Sequence, residues 1–136
     1  MTNTLEERRN RYEWIYKETA EMSAILGIKT PKIKIVGIDA DAREEIGGYY
    51  YKDSVGVKHR HYYAGTAYIN EHKIIIKPKR SPFASIRVGS TRTTIAHELI
   101  HLKNWKLRHG KEFDKRTKEL VEKWKQKKKK KKKEKE

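Results

Sequence analysis

Two histidines four residues apart, His97 and His101, constrain this chain more than any other feature. At 3.6 residues per turn they lie about one turn apart on one face of a helix, where both imidazoles can reach a single metal ion. Glu98 directly follows the first histidine and points roughly 100° further around the helix. It therefore lies beside such a metal, where a carboxylate can take a proton from water. The pattern predicts a helical metal site that catalyses hydrolysis.

The residues around the histidine pair favour a buried helix. Ser90 and Thr91 are the predicted N-cap. The apolar residues that follow over three turns are Ile95, Ala96, Leu99, Ile100 and Leu102. Two histidines and a glutamate are costly to bury in such a helix without a partner. A metal-binding role is therefore favoured over ordinary core or surface histidines.

A catalytic zinc usually takes three protein ligands and leaves its fourth position for water. His109, eight residues after His101, is the predicted third ligand. Asn104 tolerates the left-handed conformation that ends a helix, so the chain can turn back and bring His109 in at the start of the next helix. Glu112, one helical turn further on, is the alternative ligand, and a capping or surface role is the alternative for His109. We expect one Zn²⁺ per chain.

These residues resemble a known family. The HExxH pattern at residues 97–101, followed by Leu102, and the His-Gly-x-x-Phe element at residues 109–113 are similar to those of the SprT-like zinc metallopeptidases, which include Spartan, and the related WLM proteases. In those families the third zinc histidine opens the helix that follows the metal-binding helix. The stretch from residue 65 to residue 76 also resembles the strand pair that precedes the metal helix, and the whole resemblance covers roughly residues 46–124. It implies a zincin-like fold, peptidase activity and a role in removing proteins covalently trapped on DNA.

Length and cysteine content limit what such a domain can contain. The chain has 136 residues, of which 35% are hydrophobic, and no cysteine. It cannot carry disulfides, nor the cysteine-ligated zinc ribbon that follows the protease core in bacterial SprT-type proteins. We predict one minimal SprT-like metallopeptidase domain over residues 1–124, monomeric and stabilised by its metal. The abundance of Lys, Glu and Ile is a weak indication of a thermophilic source.

Positive charge is the second strong signal. The chain carries 34 Lys and Arg against 18 Asp and Glu, a net charge of +16, and residues 125–136 alone contribute nine lysines and two glutamates. Self-repulsion predicts that residues 125–136 are a disordered polylysine tail. A polycation binds phosphates regardless of sequence, so we expect DNA as a partner, with a solubilising tail or an acidic membrane surface as alternatives. The predicted nucleic-acid-binding residues are Lys127, Lys128, Lys129, Lys130, Lys131, Lys132 and Lys133.

The sequence offers no sign of a membrane segment or a secretion signal. No apolar run is long enough to cross a bilayer, and Met1 to Asn10 is polar and charged. We therefore expect an intracellular protein, in the cytoplasm or associated with the nucleoid, with no membrane partner.

The remaining patterns predict an α+β fold with an N-terminal helix, a small mostly antiparallel sheet, the metal-binding helix and a C-terminal helix. The first helix is predicted over Thr4 to Gly27 and the last from His109 to about Lys125, with a loop over Lys79 to Gly89. The predicted strands are Pro31 to Ile38, Ile46 to Tyr51, Gly56 to Tyr63, Thr66 to Asn70 and Lys73 to Pro78.

This fold suggests how a peptide could be cleaved. A strand beside the metal helix can bind an extended peptide as an added strand, and Lys73 to Lys77 is the predicted strand. Glu98 would then act as general base towards the water that attacks the peptide carbonyl. The transition state needs a further hydrogen-bond donor, for which the sequence leaves seven candidates open. These are His59, His61, Tyr62, Tyr63, Tyr68, His72 and Arg92.

Three tyrosines at residues 49–51, and histidine, arginine and tyrosine at residues 59–63, form two further clusters. On a sheet such residues can stack single-stranded bases, although ordinary strand packing is the favoured interpretation. Three functions therefore remain. The leading one is a zinc endopeptidase acting on proteins at or near DNA. The alternatives are a nucleic-acid-binding protein with a structural or vestigial zinc site, and a regulatory protease that cleaves one dedicated partner.

Overall fold

The computed structural model describes residues 4–80 and 87–134. They form an α+β fold, as predicted, with an N-terminal helix, small sheets and two C-terminal helices. Within these residues no helix combines the length and the apolar composition needed to cross a membrane. The elements in chain order are α1 (Leu5–Leu26), β1 (Lys32–Ile35), α2 (Ala42–Ile46), β2 (Gly48–Lys52), β3 (Lys58–Tyr62), β4 (Gly65–Tyr68), β5 (Lys73–Ile76), α3 (Val88–Lys103) and α4 (Lys111–Glu134).

Helix α1 begins and ends where its capping residues predict. The Thr4 hydroxyl accepts a hydrogen bond from the backbone N–H of Glu7 at 3.1 Å. Gly27 closes the helix in the left-handed conformation, with φ 71°. The buried face of α1, which includes Tyr12, Ile15 and Met22, packs into the main hydrophobic core.

The three-stranded sheet has the order β1-β5-β4, so β5 is its central strand. Strand β5 runs parallel to β1 and antiparallel to β4. Ile74 and Ile76 belong to the main core with the long helices, whereas Ile75 packs into a second cluster with Ala42 and Ile46 of α2. Because both faces of β5 are covered, all three isoleucines are fully buried. Helix α2, which covers this second face of β5, was not predicted.

Strands β2 and β3 form a separate two-stranded antiparallel hairpin, pairing Gly48 with Tyr62 and Lys52 with Lys58. Tyr49, Tyr50 and Tyr51 are about half exposed. Tyr49 and Tyr51 pack against their cross-strand neighbours His61 and His59 without entering either hydrophobic core.

Helix α3 begins two residues before the predicted cap. Its first residue is Val88, and no side chain caps it. The Thr91 hydroxyl instead accepts a hydrogen bond from the Lys79 backbone N–H at 3.0 Å, which ties the end of the sheet to the helix. The predicted loop over Lys79 to Gly89 falls largely on residues 81–86, outside the described residues.

Helix α3 ends at Lys103, next to Asn104 as expected, but by a different geometry. Asn104 has φ −122°, so the predicted left-handed conformation is wrong. Its N–H still bonds to the Ile100 carbonyl at 2.7 Å, and its carbonyl accepts from Leu107 N–H at 2.8 Å. This tight turn reverses the chain without a left-handed residue.

Helix α4 continues to Glu134, so the predicted disordered tail from residue 125 is corrected for residues 125–134. Residues 135 and 136 lie outside the described residues. Lysine is a good helix former, and extending an existing helix costs far less than nucleating one. Lys128 also forms an ion pair with Glu21 of α1 at 2.8 Å. The division into a domain and a tail stays a prediction.

Candidate metal centre

Three imidazoles meet where α3 ends and α4 begins. The Nε2 atoms of His97 and His101, one turn apart on α3, lie 3.2 Å from each other. The Nε2 atom of His109, which precedes α4, lies 2.8 Å from that of His101. The donor atoms of all three lie within 4.8 Å of one another. The structure therefore brings together the three ligands that are predicted by the helical spacing of His97 and His101 and by the short connection to His109.

The geometry of the cluster fits a tetrahedral metal. Ligand nitrogens about 2.0–2.1 Å from zinc lie about 3.3–3.4 Å apart when the coordination is tetrahedral. The separation of 3.2 Å between His97 and His101 is already close to that value, and the pair of His101 and His109 at 2.8 Å needs to open by about half an ångström. Three imidazole nitrogens are a donor set that suits Zn²⁺.

Phe113 supports all three imidazoles from beneath. Its ring is fully buried, with its centroid 4.6 Å from the ring of His97, 4.5 Å from that of His101 and 5.1 Å from that of His109. Because interiors are close-packed, this ring limits the positions that the imidazoles can take. The aromatic residue of the His-Gly-x-x-Phe element thus has a positioning role that the sequence pattern alone did not specify.

The alternative third ligand, Glu112, is directed elsewhere. Its side chain is 54% exposed, and its Oε1 accepts a hydrogen bond from Nε of Arg116 at 3.0 Å, one turn along α4. Among the described residues, the cluster of possible metal ligands contains His109 and not Glu112.

Burial favours the neutral, metal-binding form of the two histidines on α3. It lowers the pKa of His97, and the neighbouring His109 lowers it further, whereas Asp114 acts in the opposite direction. Burial, followed by the charges of His97 and His109, lowers the pKa of His101 to about 4. Both imidazoles are therefore neutral at pH 7, as metal ligation requires.

Glu98 lies beside the cluster in a confined space. It is only 5% exposed, and burial raises its pKa to about 8. Its neighbour is Gly65, the first residue of β4, where an added Cβ would lie 2.8 Å from Oε2 of Glu98 and 2.7 Å from Cγ2 of Thr94. The absence of a side chain at Gly65 therefore leaves room for the carboxylate.

Strand β4, and not β5, is the edge strand next to the metal helix. It packs against α3 and pairs only with β5 in the described sheet. The prediction that Lys73 to Lys77 would bind a peptide is wrong, because β5 has partners on both sides.

Four of the candidate donors for the transition state are engaged elsewhere in the fold. Arg92 binds both carboxylate oxygens of Glu18, at 2.6 and 3.0 Å. The His72 ring bonds to the Lys29 carbonyl at 2.6 Å, and the Tyr68 hydroxyl donates to the carbonyl of Glu45. The His59 ring contacts the Asp53 carboxylate at 2.8 Å. The remaining candidates, on the hairpin or next to it, are His61, Tyr62 and Tyr63.

No protein-family model matches this chain, and neither a curated protein nor a solved structure matches it. The resemblance to SprT-like peptidases stays a prediction, carried by the residues of the HExxH and His-Gly-x-x-Phe elements. The functional interpretation accordingly rests on the geometry described above.

Proposed function

We propose that this chain is a zinc-dependent endopeptidase of the SprT-like class that cleaves proteins at or near DNA. One observation carries the proposal: the donor nitrogens of three imidazoles lie within 4.8 Å of one another, and Glu98, the residue after His97, is confined against an edge strand. A purely structural zinc site needs four protein ligands and no neighbouring general base. The described residues supply three, together with Glu98.

The chain's own residues divide the chemistry between them. His97, His101 and His109 would hold Zn²⁺, which when bound supplies a Lewis acid for a carbonyl and lowers the pKa of water. Glu98 takes a proton from the water whose oxygen adds to the peptide carbonyl, and gives it to the amine that leaves as the C–N bond breaks. Burial raises its pKa, but a cation nearby favours the carboxylate form that can act as base.

Strand β4 gives the substrate a place to bind. An extended peptide can pair with an edge strand through backbone hydrogen bonds, and β4 runs past Glu98 at Gly65. Such pairing recognises backbone more than side chains, so we expect broad cleavage specificity. The peptide carbonyl would then be presented on the same side of α3 as the three histidines.

The charge of the chain supports a location near DNA. Net charge is +16, and the lysine-rich end of α4 projects beyond Trp124, the last apolar residue of that helix. Lysines on a helix can contact phosphates without reading bases, and each contact releases a counterion. Protein substrates held on DNA would therefore be enriched beside the enzyme.

The decisive experiment compares the wild type with Glu98→Gln on a protein covalently attached to DNA. The glutamine keeps the shape of the side chain but cannot accept the proton, so cleavage should fall at least about 10²-fold while zinc content stays at one per chain. Glu122→Gln removes an exposed carboxylate from α4 and serves as the matched control. Cleavage by Glu98→Gln at the wild-type rate would exclude the mechanism.

The burial of Glu98 favours one second candidate, a nucleic-acid-binding protein whose zinc site is structural or vestigial. A general base must meet water, and this side chain is only 5% exposed. In that case neither the wild type nor Glu98→Gln cleaves the DNA-linked protein, and both bind DNA equally.

A further inference from the structure

The β2–β3 hairpin carries a continuous aromatic face. Tyr49 and Tyr51 alternate along β2, and their cross-strand partners are His61 and His59. The rings of Tyr51 and His59 are stacked, with centroids 5.3 Å apart and planes at 26°, and Tyr49 lies 5.1 Å from His61. Both tyrosines are about half exposed, at 51% and 48%. The face therefore presents flat aromatic surfaces to solvent.

The opposite face of the hairpin is cationic. Nζ of Lys58 lies 4.4 Å from the ring centre of Tyr50, and the Arg60 guanidinium lies 4.6 Å from that of Tyr62. Lys52 continues the row at the end of β2. The one carboxylate within residues 48–62, that of Asp53, is occupied in the turn, where it accepts from the N–H groups of residues 55 and 57 and contacts the His59 ring.

A cationic groove continues from this face at the base of the hairpin. It has a volume of about 680 Å³ and passes Tyr62, whose ring centre lies 5.8 Å from the Arg43 guanidinium and 5.7 Å from Nζ of Lys77. Lys79 and Arg80 extend the positive lining. No Asp or Glu is among the described residues that line the groove. Such a groove attracts an extended polyanion.

The hairpin is tied to the rest of the fold at its base. Tyr63 N–H donates to the carbonyl of Gly47 at 3.2 Å, and the Thr66 hydroxyl donates to that of Ile46 at 2.5 Å. Isolated two-stranded ribbons are marginally stable in water, and exposed aromatic patches usually mark binding sites. The tyrosines of β2 therefore contribute little to a core and are available to a ligand.

We propose that the hairpin and its groove bind single-stranded DNA, an inference that rests on the proposed function only in naming DNA as the polymer. Bases would stack on Tyr49 and Tyr51, and the same polymer would pass around the edge of the ribbon, so that its other phosphates contact the cations of the opposite face and of the groove. Aromatic stacking together with phosphate contacts is the combination by which single strands are bound without sequence preference. The bases of a duplex are already stacked on one another, so the hairpin should prefer single strands. Strand β3 leads through Tyr63 and Ala64 to Gly65, which lies against Glu98, and this places the DNA beside the proposed peptide-cleaving site.

The test measures binding of full-length Glu98→Gln protein to fluorescein-labelled oligothymidine of about 12 nucleotides and to a duplex of equal length. The ratio of the two affinities isolates the hairpin, because the lysines of α4 bind both polymers through charge. Tyr49→Ala with Tyr51→Ala should lower the affinity for oligothymidine about tenfold or more and abolish the preference over duplex. Replacing both tyrosines with phenylalanine should retain the preference, because the rings remain.

Two further variants separate stacking from charge. Trp105→Ala removes a tryptophan that is 60% exposed and lies near Lys106 but outside the hairpin, and it should leave the ratio unchanged. Lys58→Gln with Arg60→Gln should weaken binding and lower the salt slope by about 1.4, the value for two phosphate contacts on a single strand.

An alanine variant that unfolds the hairpin would also lose DNA binding. Photo-crosslinking of the unsubstituted protein to oligodeoxyuridine that carries iodouracil therefore locates the DNA without any substitution in the hairpin. Crosslinks within residues 48–62 are expected, and crosslinks confined to α4 would overturn the proposal. An unchanged preference for oligothymidine over duplex after loss of both rings would also overturn the proposal. A hairpin variant that impairs cleavage of a free protein but binds DNA normally would overturn it too, because the aromatic face would then bind polypeptide. Peptidase activity plays no part in the binding readouts, so a failed proposal here and a failed proposed function are distinguishable.

Discussion

Gly65 and Glu98 form the contact on which the proposed chemistry depends most closely. A methyl group at Gly65 would lie 2.8 Å from the carboxylate and 2.9 Å from its Cγ, closer than real contacts allow. Either the glutamate moves or strand β4 shifts away from α3. Both outcomes displace the general base from the substrate strand.

Gly65→Ala should therefore lower cleavage at least about tenfold while leaving one zinc per chain, because misplacing a catalytic group by about 1 Å can cost about 10²-fold in rate. Gly89→Ala is the matched control, since a Cβ at that helical position meets nothing within 4 Å. Rates are compared on the same DNA-linked protein, with zinc measured by atomic absorption. Equal cleavage by the two alanine variants would show that Glu98 needs no such space.

The identity of the third ligand can be tested at the same scale. His109→Ala should lower zinc affinity sharply, because it removes one of three nitrogen donors. Glu112→Ala should leave affinity unchanged, because its carboxylate faces Arg116. Titration with a competing chelator measures both, and the reverse order of effects would transfer the ligand role to Glu112.

At the scale of elements, the lysine-rich end of α4 presents its charges on a helix. Replacing the exposed residues Lys127, Lys129, Lys130 and Lys131 with glutamine keeps good helix formers and leaves the Lys128–Glu21 ion pair in place. Affinity for duplex DNA should fall, and its dependence on salt should flatten because fewer counterions are released. Zinc content should not change.

The matched control replaces the same four lysines with arginine, which preserves charge and helix propensity and should preserve the salt slope. Binding of both variants to one duplex is compared across a salt series. Identical slopes for the glutamine and arginine proteins would make this end of the helix a solubilising segment.

Local periodicity explains which elements could be predicted. The spacing of His97 and His101 determines their relative position as soon as a helix forms. The short connection between His101 and His109 limits how far His109 can lie from them. Strand order depends on contacts distant in sequence, so the sequence did not reveal that β4 rather than β5 forms the edge. The helical conformation of residues 125–134 was not predicted, because the prediction considered the mutual repulsion of the lysines and not the ion pair between Lys128 and Glu21.

At the scale of the whole molecule, the proposed metal would join the end of α3 to the start of α4 next to the core residue Phe113. Chelation of zinc should lower the thermal midpoint by on the order of 10 °C, since a ligand at about 1,000 times its dissociation constant stabilises a fold by about 4 kcal/mol. Calorimetry with and without chelator measures the shift. His97→Ala should show no zinc-dependent shift, and an equally stable metal-free wild type would contradict a role of the metal in the fold.

The parallel pairing of β1 with β5 joins Ile35 to Ile76 across the whole hairpin segment. Such long-range pairing is slow to form and, once buried, is among the last structure to open. Backbone amides of β5 should accordingly exchange with deuterium only through global unfolding, whereas those of the hairpin exchange through local opening. The molecule would thus keep a rigid interior beside a ribbon whose amides exchange independently of it.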